Sequence, residues 1–119
     1  MKKTVKALKG LLNLNDFALI AKTISEATGE KFKINKSYTL SGGDINSAFK
    51  LEGGNQRYFV KLNEPKLLAM FEAEAAGLEA IVNTQTLRVP TPIATGTTAK
   101  HAYIALEFLE LTAKSPATE

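Results

Sequence analysis

The segment Arg57-Tyr58-Phe59-Val60-Lys61-Leu62-Asn63 is followed almost at once by Pro65-Lys66-Leu67-Leu68-Ala69-Met70-Phe71-Glu72-Ala73-Glu74-Ala75-Ala76-Gly77-Leu78-Glu79-Ala80-Ile81-Val82, and this junction decides the fold. The first run reads as a strand, with Phe59 and Lys61 on one side and Tyr58, Val60 and Leu62 on the other. The second reads as a helix over 65–82. At 100° per residue, Leu67, Leu68, Met70, Phe71, Ala75, Leu78, Ile81 and Val82 share one face with Glu74 among them, while Glu72 and Glu79 fall on the polar edge. A carboxylate inside an apolar stripe costs several kcal/mol unless a charge or good donors meet it. Lys61, on a strand face that the helix could cover, is the nearest candidate. The other reading leaves Glu74 bent toward solvent and Lys61 on an exposed strand.

At 119 residues the chain fits one domain, and a hydrophobic fraction of 45% supports a modest core. The net charge of +3, from 15 basic and 12 acidic side chains, is too mild for a nucleic-acid surface but compatible with small anionic ligands. The absence of cysteine excludes a disulfide framework, a thiolate metal site and a thiol nucleophile. A single histidine, His101, makes no histidine metal cluster and reads as part of a hairpin turn beside Lys100. No apolar run approaches the ~18 residues of a membrane span. Lys9, Asn13, Asn15 and Asp16 interrupt any signal-peptide core. The expected setting is cytoplasmic, with no membrane partner.

From the N-terminus, Phe17, Ile20, Ala21, Ile24 and Ala27 recur at helical spacing, with Asn15 as start cap and Gly29 as stop. Residues 1–12 suggest a shorter basic helix before it. Strands are expected over 31–40, where Phe32, Ile34, Lys36, Tyr38 and Leu40 share one parity, and over 45–52. Glu52-Gly53-Gly54-Asn55-Gln56 carries hairpin-turn chemistry. Beyond the long helix, Arg88-Val89-Pro90-Thr91-Pro92 forces extended backbone. A short strand follows over 92–98. A nearly continuous apolar strand over 102–109 implies that both of its faces are covered. The expected fold class is α+β: an antiparallel sheet of about five strands with one packed helix, plus an N-terminal helix or helices. By segment, 1–30 is helical, 31–111 forms the sheet lobe, and 112–119 begins a linker or helix, with Ser115, Pro116 and Glu119 as helix-start signals.

Taken together, Ser41-Gly42-Gly43-Asp44-Ile45-Asn46, Phe59-Val60-Lys61, Met70-Phe71-Glu72-Ala73-Glu74 with Leu78 and Ile81, Val89-Pro90-Thr91-Pro92 and Leu106-Glu107-Phe108-Leu109-Glu110-Leu111 resemble the N-terminal lobe of the fructosamine (ketosamine) kinases. That family is related to the aminoglycoside phosphotransferases and has a protein-kinase-like fold. The likeness covers about 32–111. It implies ATP as cofactor and phosphorylation of a sugar hydroxyl on ketosamine adducts. Lys61 would contact the α and β phosphates and Glu74 would hold Lys61, as in kinase-like folds. Ser41, Gly42, Gly43, Asp44, Ile45 and Asn46 would form the loop over the phosphates. The Glu107 carbonyl and the Leu109 N–H would meet the adenine edge.

The family's catalytic aspartate loop and metal-binding asparagine and aspartate are expected beyond residue 119. No catalytic or metal-ligating residue is therefore assigned here, and magnesium and the ketosamine would be held mainly by the missing lobe. A truncated lobe inactive alone is the expectation. Apolar groups of the Phe71 helix and of residues 106–111 would lie uncovered, so a homodimer or a complementing C-lobe is the expected protein partner. A stand-alone, non-catalytic nucleotide- or protein-binding module is the alternative. A small α+β domain with no nucleotide site is a third.

Overall fold

The computed structural model describes residues 14–42 and 47–109. Helix α1 (Leu14–Thr28) precedes strands β1 (Lys36–Gly42), β2 (Ser47–Gly53) and β3 (Gln56–Asn63). A 3-10 turn (Pro65–Leu67) leads into helix α2 (Leu68–Thr84), followed by β4 (Pro92–Thr97) and β5 (Ala102–Glu107). The five strands form one sheet in the order β1-β2-β3-β5-β4, every neighbouring pair antiparallel.

The two helices lie on opposite faces of this sheet, and the period-2 alternation of β3 divides the core between them. Tyr58, Val60 and Leu62 turn toward α1, where Ile20 and Ile24 pack with Phe49, Leu51, Tyr103 and Ala105. Phe59 turns toward α2, where Phe71 packs with Ala102, Ile104 and Leu106. Strand β5 alternates between both clusters, so Ala102, Tyr103, Ile104, Ala105 and Leu106 are all buried. This accounts for its unbroken apolar sequence.

Local chemistry sets the boundaries. Helix α1 already contains Leu14, so Asn15 lies inside its first turn rather than before it, correcting the expected cap. Its end follows the expectation: Gly29 has φ +78° and donates its N–H to the Ser25 carbonyl at 2.9 Å. Residues 31–35 carry no regular secondary structure, so the first strand begins at Lys36 rather than at Lys31, although the Asn35 N–H already donates to the Glu52 carbonyl of β2 at 2.7 Å. Phe32 is drawn to other partners. The Phe32 N–H donates to Ser25 Oγ at 2.8 Å, and the Phe32 ring meets Tyr58 edge-to-face at 4.8 Å. Edge strand β1 leaves Tyr38 and Leu40 exposed although they share parity with buried Phe32. Between β2 and β3, Gly54 and Asn55 make the turn, with Gly54 at φ +60°. Gly53 is required for a different reason: a Cβ there would come within 2.0 Å of the Lys33 carbonyl oxygen.

Pro65 opens the 3-10 turn, where its missing N–H costs nothing. Gln85, left-handed at φ 59°, closes α2 by donating its N–H to the Val82 carbonyl. Phe71 is fully buried, whereas Met70, expected on the same apolar face, is 39% exposed. Phe71 and Leu106 are themselves covered within the lobe, whereas Met70 of the same helix is an exposed apolar group, and residues 110 and 111 lie outside the described residues. His101 sits in the β4–β5 turn as read from sequence, donating its N–H to Thr98 Oγ1 at 3.0 Å. The expected helix over 1–12 and the segment 112–119 lie outside the described residues. No described helix is long and apolar enough to cross a membrane.

This asymmetry of α2 gives a stability test. Phe71→Ala should cost about 3–5 kcal/mol, and Met70→Ala less than about 0.5 kcal/mol, read from urea unfolding midpoints. Comparable losses for the two variants would contradict the assigned packing face.

Candidate functional site

On the α2 face of the sheet, Lys61 lies in the middle of β3, opposite Ala48 of β2 on one side and Ile104 of β5 on the other. Its Nζ is 2.6 Å from Glu74 Oε2, with the two side chains 20% and 30% exposed. Strand parity aims Lys61 at α2, and Phe71, three residues before Glu74, anchors that helix on β5. The carboxylate in the apolar stripe therefore finds its partner in the lysine that the sequence nominates. A charge-assisted contact this short is among the stronger protein hydrogen bonds. It leaves a partly exposed ammonium fixed on the sheet and able to meet a second anion. Among the described residues, no group of three or more His, Cys, Asp or Glu is placed to hold a metal ion.

The glycine loop is described only at its start. Ser41 and Gly42 end β1, opposite Ala48 and Ser47, after a register shift between Thr39 and Ser41. Gly43, Asp44, Ile45 and Asn46 lie outside the described residues.

At the other end of the β3–β5 pair, β5 continues through Glu107, opposite Tyr58 and so of the parity that turns toward α1, while Phe108 and Leu109 follow outside the strand. The strand is thus shorter than the expected 102–109. The Glu107 N–H is already engaged by the Thr91 carbonyl at 2.9 Å, so only part of its backbone remains open. Its carboxylate receives Arg88 Nη2 at 2.7 Å, Arg88 Nη1 at 3.3 Å and the Thr91 N–H at 3.1 Å. Partial burial works against ionisation of Glu107, but the hydrogen bonds from Arg88 and Thr91, with the guanidinium charge, outweigh it and hold the carboxyl below its ordinary value.

Sequence reading did not find this clamp, because an exposed arginine 19 positions away leaves no periodic trace. The Pro90-Thr91-Pro92 triplet, which offers a single N–H, was the available signal. It also missed a set of cation–ring contacts beside Phe108. Lys50 Nζ lies 4.6 Å from the Tyr38 ring centroid and 5.2 Å from that of Phe108, and the Arg57 guanidinium carbon 5.8 Å from the latter.

This fold and its strand-lysine, helix-glutamate pair define the class: a kinase-like N-terminal lobe. The sequence model of the fructosamine kinase family matches residues 16–119, and the chain belongs to that family. A probable ketoamine kinase of Synechocystis sp. is 52% identical over 91 residues, 76% of this chain and 31% of that protein. The chloroplastic protein-ribulosamine 3-kinase of Arabidopsis thaliana is 40% identical over 83 residues, covering 69% of this chain and 26% of its own length. The crystal structure of a candidate fructosamine-3-kinase from Haemophilus somnus superposes with a TM-score of 0.74 at 29% identity, covering 78% of this chain and 32% of that one. The chain thus spans about a third of the length of the relatives it matches.

A carboxyl held below its ordinary value stabilises the fold fully above that value, 4.5, and loses the contribution as pH falls through the lowered one. Glu107→Gln should therefore be less stable than the parent at neutral pH, by under about 1 kcal/mol for a pair whose arginine is mostly exposed. The difference should shrink as pH falls through the carboxylate range. Urea midpoints across that range test this, and a constant difference would contradict it.

Proposed function

We propose that this chain is the nucleotide-holding part of an ATP-dependent kinase acting on ketosamines. The observation that carries the reading is the Lys61–Glu74 contact of 2.6 Å across the β3–α2 interface. Its donor set fits a polyphosphate: an ammonium kept partly accessible, aimed from a rigid strand and braced by a carboxylate. ATP would supply the transferable phosphoryl group, with Lys61 meeting the α and β phosphates and Glu74 orienting Lys61. In this reading Ser41, Gly42, Gly43, Asp44, Ile45 and Asn46 close over the phosphates with their backbone N–H groups. The Glu107 carbonyl and the Leu109 N–H bind the adenine edge. The names of the Synechocystis and Arabidopsis relatives support a ketosamine as the acceptor.

Phosphoryl transfer needs metal ions across the β and γ phosphates and a group that orients the nucleophile. The two aspartates of the sequence are Asp16 and Asp44. Asp16 is buried in the first turn of α1, across the sheet from Lys61. The proposal assigns magnesium, the base and most acceptor contacts to a second lobe, supplied in the same polypeptide or by a complementing partner. By itself the chain should bind ATP weakly and turn over nothing. Self-association belongs to the same reading, with exposed Tyr38, Leu40 and Met70 as available apolar groups; a concentration-independent monomer in sedimentation velocity would remove it.

Titration of the 119-residue chain with ATP, with Lys61→Ala alongside, tests the core of this. Lys61→Ala should weaken binding at least about tenfold, the scale of one lost charge-assisted contact. A coupled assay with ribulosamine and fructosamine acceptors should show no turnover. Equal affinities for parent and variant, or turnover abolished by the substitution, would each contradict a distinct half of the proposal.

A further inference from the structure

Thr91 and Glu107 begin what should be an ordinary antiparallel pair, in which two facing residues exchange both N–H···O bonds. Half of that exchange is present: the Glu107 N–H donates to the Thr91 carbonyl at 2.9 Å. The reciprocal bond is diverted. The Thr91 N–H donates at 3.1 Å to Oε1 of the Glu107 side chain instead of to the Glu107 main-chain carbonyl. Pro90 and Pro92 have no N–H, so Thr91 carries the single backbone donor of that triplet. The carboxylate is held for this task by both terminal nitrogens of Arg88, at 3.3 and 2.7 Å. Beside this point β4 is irregular, its register shifting between Pro92 and Ala94.

We propose that the Glu107 side chain captures the Thr91 N–H and so keeps its own main-chain carbonyl open to the exocyclic amino group of a bound adenine. Glu107 is then a positioning residue, and Arg88 the group that aims it. The inference rests on the reading above that this carbonyl meets the adenine edge. It goes further by giving the carboxylate a specificity role: selection of purines that carry an amino donor at position 6.

The test uses the 119-residue chain titrated with three ligands: ATP, purine riboside triphosphate, which lacks the 6-amino group, and inorganic tripolyphosphate. The parent chain should prefer ATP to purine riboside triphosphate by roughly 3- to 10-fold, the range one hydrogen bond supplies. Glu107→Ala should let the Thr91 N–H close on the carbonyl. The preference then falls to near unity, with tripolyphosphate affinity unchanged. Glu107→Gln retains an acceptor for Thr91 and should keep the preference, an outcome that a merely electrostatic role for Glu107 would not give. Should Glu107→Ala fail to fold, Arg88→Met is read in its place and should reduce the preference. A preference that survives in the readable variant overturns the proposal while leaving the nucleotide site standing. Equal loss of all three ligands overturns it too, because general loosening would then be the cause. If the parent binds ATP no better than tripolyphosphate, the adenine reading itself fails, and this inference with it.

Discussion

The organising constraint is that β3 must serve two cores at once. Its even-numbered residues Tyr58, Val60 and Leu62 fill the space under α1, and the next residue of opposite parity after Phe59 is Lys61. A one-residue slip of β3 would send the ammonium into the apolar cluster around Ile20 and Ile24 and bring Val60 and Leu62 out opposite Glu74. Every buried contact under α1 therefore also fixes the direction of Lys61. The charge pair is held by packing on the face it does not occupy.

Helix α2 answers from the other side. Only Phe71 among its residues is fully buried, so the helix is attached through a narrow contact with β5 and Phe59, with Leu68, Ala75 and Leu78 at its border. Glu74 lies near that contact, one turn from Phe71, where the position of the helix is best defined. The Lys61–Glu74 distance reports the seating of α2 for this reason, and a shift of the helix would open the pair before it disturbed the α1 core.

The parts of this arrangement written as periodicity were legible in the sequence. The parity of 57–63, the helical stripe of 65–82 and the unbroken apolar run of 102–106 each follow from geometry repeated over several residues, and each appears in the structure. What escaped depends on single contacts between distant positions. Phe32 and Ile34 continue the alternation of a strand, yet Ser25 Oγ takes the Phe32 N–H and the sheet begins only at Lys36. Met70 fits the apolar arc by angle, yet it is exposed while Phe71 beside it is fully buried. The Arg88–Glu107 clamp joins an exposed loop residue to a strand end, and neither propensity nor periodicity encodes such a pairing.

Lys61 and Glu107 belong to adjacent antiparallel strands, and their neighbours are different. Lys61 is paired on both sides within the sheet, so its backbone has little freedom and its side chain carries whatever chemistry it does. Glu107 stands where the β4 partner runs into two prolines, with Thr91 between them as the remaining backbone donor, and that donor turns to the Glu107 carboxylate. At such an end, main-chain groups become available to a ligand only if something occupies the competing donors without covering the acceptor. A side chain folding back onto its neighbour's N–H does this without lengthening the strand. Pro90 and Pro92 thereby leave Thr91 as the one backbone donor of that triplet, and the Glu107 carboxylate accepts from it.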